Sequence, residues 1–213
     1  GLRTSQPNEA WHIVTTVIRL LDGTKVYLHA VIDNFSRRIL AWKVAEKQRP
    51  ATTCEVLIGA AHEARIVSSG TPTVMVDAGV ENLNSAVDEL IASGLLRRVL
   101  AQVDVRFSNS MIEAWWRSLK HQWLYLNPLE SLLDVRRLVG FYVDSHNGEM
   151  PHSAFQGQTP DEVYFSCGEG VPDQLASARE TARQSRLEVN RQLDCEVCAG
   201  DVGDPRRVVH SAA

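Results

Sequence analysis

From Trp11 to Val44 the chain runs in short stretches rich in Val, Ile and Thr, with apolar and polar positions loosely alternating. Side chains of that kind suit a pleated, half-buried surface. They predict strands over residues 11–20, 25–33 and 38–44. Asp22-Gly23 is read as a two-residue hairpin turn between the first two, and Asn-Phe-Ser-Arg as the turn into the third. A two-residue turn would set Val14 opposite Val31, with Asp33 on the same face one diagonal away, about 7–8 Å. After Pro50, which fits the first position of a helix, the apolar residues take helical spacing through about residue 68. A fourth strand is expected over residues 74–77. A helix opening on Ser85-Ala-Val-Asp88 should end by Gly94, and a fifth, short strand should cover 96–101. Helices follow over 108–125 and 131–146, the second stopped by His146-Asn147-Gly148. A short helix should start at Thr159-Pro160 and run to about Phe165.

Three meander strands followed by alternating helices and strands predict an α/β domain with a mixed five-stranded sheet flanked by helices. Residues 172–193 change character. They are rich in Arg, Glu, Gln and Ala and poor in large apolar residues, which suits a solvent-exposed helix or a partly ordered tail able to serve as an oligomer contact. Residues beyond Cys198 are expected to be unstructured. The expected organisation is an N-terminal extension over 1–10, a core over 11–166, and a polar helix and tail over 167–213.

Composition narrows this picture only a little. A chain of 213 residues suits one good-sized domain with an appendage. Gly1-Leu2-Arg3 reads as the interior of a longer chain. No apolar run reaches membrane-span length and no signal-peptide pattern is present. The net charge of −4 argues against a dedicated nucleic-acid clamp, though a nuclease core needs only local basic patches. Four cysteines are no disulfide framework, so a reducing cytoplasm is expected. Cys195 and Cys198 have zinc-ligand spacing but lack a second pair, and are read as a coincidence or half of a truncated site.

The chemistry is expected at two acids. Asp77 closes a β-branched run just before Gly79, and Glu113 lies early in a later helix, with thirty-five residues between them. Carboxylates at a strand tip and on a helix can converge on one hard cation such as Mg²⁺. Glu113, Arg117 and Lys120 share a helix face, with Asn109 one turn earlier; a carboxylate with two cations behind it suits a metal beside a DNA phosphate. Spacing alone favours an ordinary solvated face with an intrahelical Glu–Arg pair.

These residues, with Val31-Ile-Asp-Asn-Phe-Ser-Arg-Arg-Ile-Leu-Ala-Trp42 and the Tyr142–Tyr164 stretch (Tyr-Val-Asp-Ser-His-Asn, then Pro-His and Thr-Pro), resemble the catalytic cores of bacterial insertion-sequence transposases and retroviral integrases. The resemblance covers roughly residues 5–166. It implies a ribonuclease H-like fold, metal-dependent cleavage and strand transfer of DNA, Mg²⁺ or Mn²⁺ as cofactor, Asp77 and Glu113 as catalytic metal ligands, and Asn109, Arg117 and Lys120 toward DNA. It also implies a homodimer or higher oligomer, transposon ends and target DNA as partners, and a bacterial, nucleoid-associated setting. Three positions depart from the pattern. Ala78 and Met150 stand where Asn and Arg are usual, and Val14 stands three residues after Trp11, where the family has its first catalytic Asp. Two neighbouring cations repel unless anionic oxygens bridge them, and valine has none. The chain is therefore expected to be inactive or nearly so: an engineered knockout, a decayed transposase, or a core reused as a non-catalytic DNA-binding or assembly module. Asp33 leaning in to replace the missing acid is a further possibility. His12 is placed on the strand face opposite position 14. A ribonuclease H-type nuclease is disfavoured by the thirty-five-residue spacing and the Tyr142–Tyr164 pattern.

Overall fold

The computed structural model describes residues 4–65, 70–76, 85–100 and 110–192. The chain forms two compact units, Gly1–Glu169 and Gly170–Ala213. In the first, β1 (Ala10–Arg19), β2 (Lys25–Asp33) and β3 (Ile39–Ala45) make an antiparallel meander. Strands β4 (Thr73–Val76) and β5 (Arg97–Leu100) extend it in parallel on the other side of β1, giving the order β3-β2-β1-β4-β5. This is the expected mixed five-stranded sheet, with β1 at its centre.

The two faces of β1 build two cores, as a period-two strand must. Trp11 and Ile13, with Val31 of β2, pack against Val56, Leu57, Ala60 and Ala61 of helix α1 (Pro50–Ala64). Ile18, Leu28, Ala30 and Ile32 pack on the opposite side against α3 (Ser110–Gln122) and α4 (Leu132–Gly148). Helix α3 contributes Ile112, Trp115, Trp116 and Leu119; α4 contributes Val135, Val139, Tyr142 and Val143. Helix α2 (Ser85–Ala92) lies between β4 and β5 in sequence, and α5 (Pro160–Tyr164) closes the unit. Capping explains two of the starts. The Ser131 hydroxyl accepts from the Asp134 amide while the Asp134 carboxylate accepts from the Ser131 amide, and Thr159 and Glu162 repeat the arrangement before Pro160.

Three sequence expectations change. First, the β1–β2 hairpin has one more loop residue than a two-residue turn. Gly23 donates its amide to the Leu20 carbonyl and takes φ +87, and Leu20 and Thr24 are bonded across the loop. This is a three-residue loop whose last position favours glycine. Every pair then shifts by one, so Val14 faces Ala30, not Val31, and Asp33 faces Trp11. Second, α3 ends at Gln122 because Trp123 leaves the helical region, with φ −138. Its indole N–H donates to the Leu138 carbonyl and its ring stacks on Phe141. Third, His146-Asn147-Gly148 do not stop α4. They are its last turn, held by tertiary bonds: the Asn147 amide both accepts from the Ile39 amide and donates to the Ile39 carbonyl, at 2.9 and 3.0 Å.

A buried polar node ties the ends of the unit together. Asp33 is fully buried. Its carboxylate accepts from the Asn8 amide at 2.9 Å and from both the amide and hydroxyl of Ser36 at 2.7 Å. The Asn8 side-chain oxygen in turn accepts from the Trp11 indole and from the Tyr164 hydroxyl. Beside it, Arg38 bonds Asp161 and Glu63 and lies over the rings of Tyr164 and Phe165. Helix α6 (Val171–Gln192) forms the described part of the second unit and is exposed along almost its whole length.

Removing the Asp33 carboxylate strands three buried donors. Asp33→Ala should therefore lose about 3 kcal/mol or more in urea unfolding. His29, also fully buried, should show in the pH profile. Burial, and secondarily Lys43, push its pKa from 6.5 down to about 4. Folding favours the neutral ring, so its contribution is complete above pH 6.5 and is lost as pH falls toward 4. His29→Gln should flatten that part of the stability profile relative to the parent chain.

Candidate functional site

The candidate site lies on the sheet face that carries α3. Val14 is in the middle of β1 and packs against the core on the α3–α4 side. His12 and Val14 share parity, and His12 pairs with Ile32 of that same core. His12 is thus on the face of position 14, not the opposite one, because strand side chains alternate. It is buried, and its Nε2 lies 3.2 Å from the Asn34 side-chain oxygen. Counting by twos from Val14 would have revealed this placement from the sequence.

Strand β4 runs parallel to β1 with His12 opposite Met75. That pair is two residues before Val14 on β1. Asp77 itself lies outside the described residues, as do Asn109, Cys195 and Cys198. Glu113 is in the first turn of α3 and exposed to solvent, and Arg117, one turn on, is also exposed. Lys120 is different. It is half-buried, and its ammonium donates to the Thr16 hydroxyl of β1 at 2.5 Å. Burial holds its pKa below the ordinary lysine value. Lys120 therefore fastens α3 to the strand that carries Val14, on the flank that Glu113 and Arg117 also occupy.

Asp33 does not reach this face. The shifted register puts it with Trp11, on the α1 side of the sheet, and its oxygens are taken by Asn8 and Ser36. The one-residue difference in the loop moves the whole strand's side chains across the sheet. Nor do the histidines of the Tyr142–Tyr164 stretch turn to the site as ligands. The His146 ring nitrogen donates to the Arg37 carbonyl at 3.0 Å, and burial keeps its pKa below the ordinary imidazole value. The His152 ring accepts from the Ala154 amide. The sequence reading missed Asn8, Arg38 and Asn147 as organisers. The partners that make them organisers are 25 to 156 positions away, beyond the reach of a local pattern.

Among the described residues no group of three His, Cys, Asp or Glu side chains is placed to hold a metal ion. The donor set tested at position 14 does not fit a bridged pair of cations, because valine offers no lone pair there.

Residues 4–110 match the model of the integrase core domain family, and residues 99–160 match a second model of the same description. The chain belongs to the integrase core domain family. It is 22% identical over 162 residues to a putative transposase, InsK, for insertion sequence element IS150 of Escherichia coli (strain K12), covering 75% of this chain and 56% of that protein. The chain thus spans little more than half the length of that relative. Its fold resembles the integrase catalytic core domain of HTLV-2, solved in complex with magnesium, with a TM-score of 0.58 at 17% identity over 76% of this chain and 99% of the other. It also resembles a chain of the simian T-cell lymphotropic virus intasome solved with PP2A regulatory subunit B56 gamma, with a TM-score of 0.64 at 16% identity, covering 76% and 56%. The fold of this integrase core is ribonuclease H-like. Among the described residues no helix is long and apolar enough to cross a membrane.

The register makes a direct prediction. In a chain carrying Val14→Asp, adding Asp33→Asn should leave Mg²⁺ or Mn²⁺ affinity within about two-fold by calorimetry, while lowering stability. A large loss of metal affinity would restore Asp33 as a ligand.

Proposed function

We propose that this chain is the core of an integrase-type transposase that binds DNA ends and is silent in cleavage and strand transfer because of Val14. The observation that supports this most is the valine on β1, facing the helix that carries Glu113. In this reading residues 11–166 form the catalytic core, 1–10 lead into it, and 167–213 are a polar helix and tail. Asp77 and Glu113 are the remaining catalytic carboxylates. Two acids without a third hold at most one hydrated Mg²⁺ or Mn²⁺, weakly. Asn109 and Arg117 face DNA. Lys120 lies on the same stripe, and its bond to Thr16 gives it a positioning role as well. The partners are transposon ends and target DNA, in a homodimer or higher oligomer, in the bacterial cytoplasm at the nucleoid.

The second reading is a non-catalytic DNA-binding or assembly module on the same fold. Val14 favours it too, since a core that no longer cuts can still hold DNA or a second copy. The two readings separate in one comparison of the chain with its Val14→Asp variant, by metal titration calorimetry and a strand-transfer assay on a labelled DNA end. The expected outcome is measurable Mg²⁺ or Mn²⁺ binding and joined product only with Asp at position 14. Activity in the chain as written would overturn the account of Val14. A Val14→Asp variant that folds, binds DNA, yet neither takes up metal nor joins strands would favour the assembly module.

A further inference from the structure

Helix α6 sorts its charges around its axis. At about 100° per residue, Arg179, Arg183, Arg186 and Asn190 fall within roughly 60° of one another. Asp173, Glu180 and Glu188 lie on the other flank, with Arg191 among them. A third stripe, bordering the arginines, carries Val171, Leu175, Ala178, Ala182 and Val189. All four residues of the basic stripe are exposed. One acid touches it: Glu180 lies 3.6 Å from Arg183, while its other oxygen accepts from Gln184 at 2.6 Å, on the acidic flank. An ion pair that exposed is weak and readily exchanged for a phosphate. From Arg179 to Arg186 the helix rises about 10 Å, enough for three guanidinium groups to meet successive phosphates of one strand.

We propose that the Arg179–Arg183–Arg186 stripe of α6 is a nucleic-acid backbone contact outside the core, using Asn190 as a further hydrogen-bond donor. The occupant is the phosphodiester backbone of duplex DNA, recognised by charge and not by sequence. The inference rests on the reading of the chain as a DNA-binding integrase core, and it assigns that DNA a second point of attachment. It needs no metal and no catalytic acid. The chain's net charge of −4 makes such segregation necessary, because only a local patch of one sign can hold a polyanion.

The test uses the full 213-residue chain and a labelled duplex of arbitrary sequence, with binding followed by fluorescence anisotropy between 50 and 200 mM KCl. Each phosphate neutralised contributes about 0.9 to the slope of log affinity against log salt. Arg179→Gln/Arg183→Gln/Arg186→Gln should lower that slope by about 2 to 3 and weaken binding at least ten-fold at the lowest salt. Arg191→Gln, the same chemistry on the other flank, should leave the slope unchanged. Circular dichroism and light scattering on each variant check helicity and mass. The proposal is overturned if the parent chain does not bind the duplex, if the triple variant keeps the parental slope, or if Arg191→Gln costs as much as each stripe arginine. It also fails if the slope falls only together with a change in oligomer mass; α6 would then join copies of the chain through its apolar stripe. Strand transfer by the Val14→Asp variant is read separately, so failure of the catalytic reading leaves the salt slope to be judged by itself.

Discussion

A buried carboxylate at the end of β2 governs how the rest of the core is assembled. Asp33 is fully buried, so its oxygens must be met by protein donors, and these come from two segments of the chain. Ser36 closes the turn into β3, and Asn8 fixes the chain just before β1. Asn8, with φ +66, then gathers the Trp11 indole and the Tyr164 hydroxyl from the far end of the unit. Burial pushes the Asp33 pKa up and the donors pull it down, with burial the larger effect. Such a network favours the register that brings Asn8, Asp33 and Ser36 together, which makes it a specifier of register as much as a source of stability.

Register, in turn, decides what faces the candidate site. The three-residue loop ending at Gly23 sets Trp11 against Asp33 and Val14 against Ala30. That single residue sends Asp33 to the α1 side and Val14 to the α3 side. It takes Asp33 away from the face of position 14, and it makes His12 the polar neighbour of that position. Across the gap, Lys120 bonds Thr16, two residues beyond Val14 on the same face, and so fixes α3 relative to β1. The helix bearing Glu113 is anchored to the strand that carries Val14.

The stretch from Tyr142 to Tyr164 works as a clasp around the β2–β3 turn. His146 bonds the Arg37 carbonyl, and Asn147 imitates a strand partner for Ile39. Arg38 reaches Asp161 and Glu63 beneath the rings of Tyr164 and Phe165. Edge strand β3 has backbone groups to satisfy, and side chains of α4 satisfy some of them. Polar residues that resemble catalytic machinery in a sequence are here spent on holding a sheet edge and a turn. The second unit follows other rules: α6 has little apolar surface to bury and presents sorted charge instead.

Local pattern was enough to place the five strands and the α-helices of the first unit within a few residues, because period, glycine, proline and capping residues act over one or two turns. The caps at Ser131 and Thr159 and the strand at Lys25–Asp33 are of this kind. Motif spacing also singled out Glu113, and the resemblance to transposase and integrase cores drew attention to Val14. What local pattern could not decide was parity and partnership. Loop length between β1 and β2 depends on whether Leu21 joins Asp22 and Gly23 in the turn, where its amide donates to the distant Leu129 carbonyl. The extension of α4 through Asn147 depends on a carbonyl and amide of Ile39, 108 positions away. The sequence by itself determined the elements and the valine at position 14. Tertiary structure alone decided which residues pair across strands and which helix each strand face meets, since that follows from contacts between segments that no short window of sequence contains.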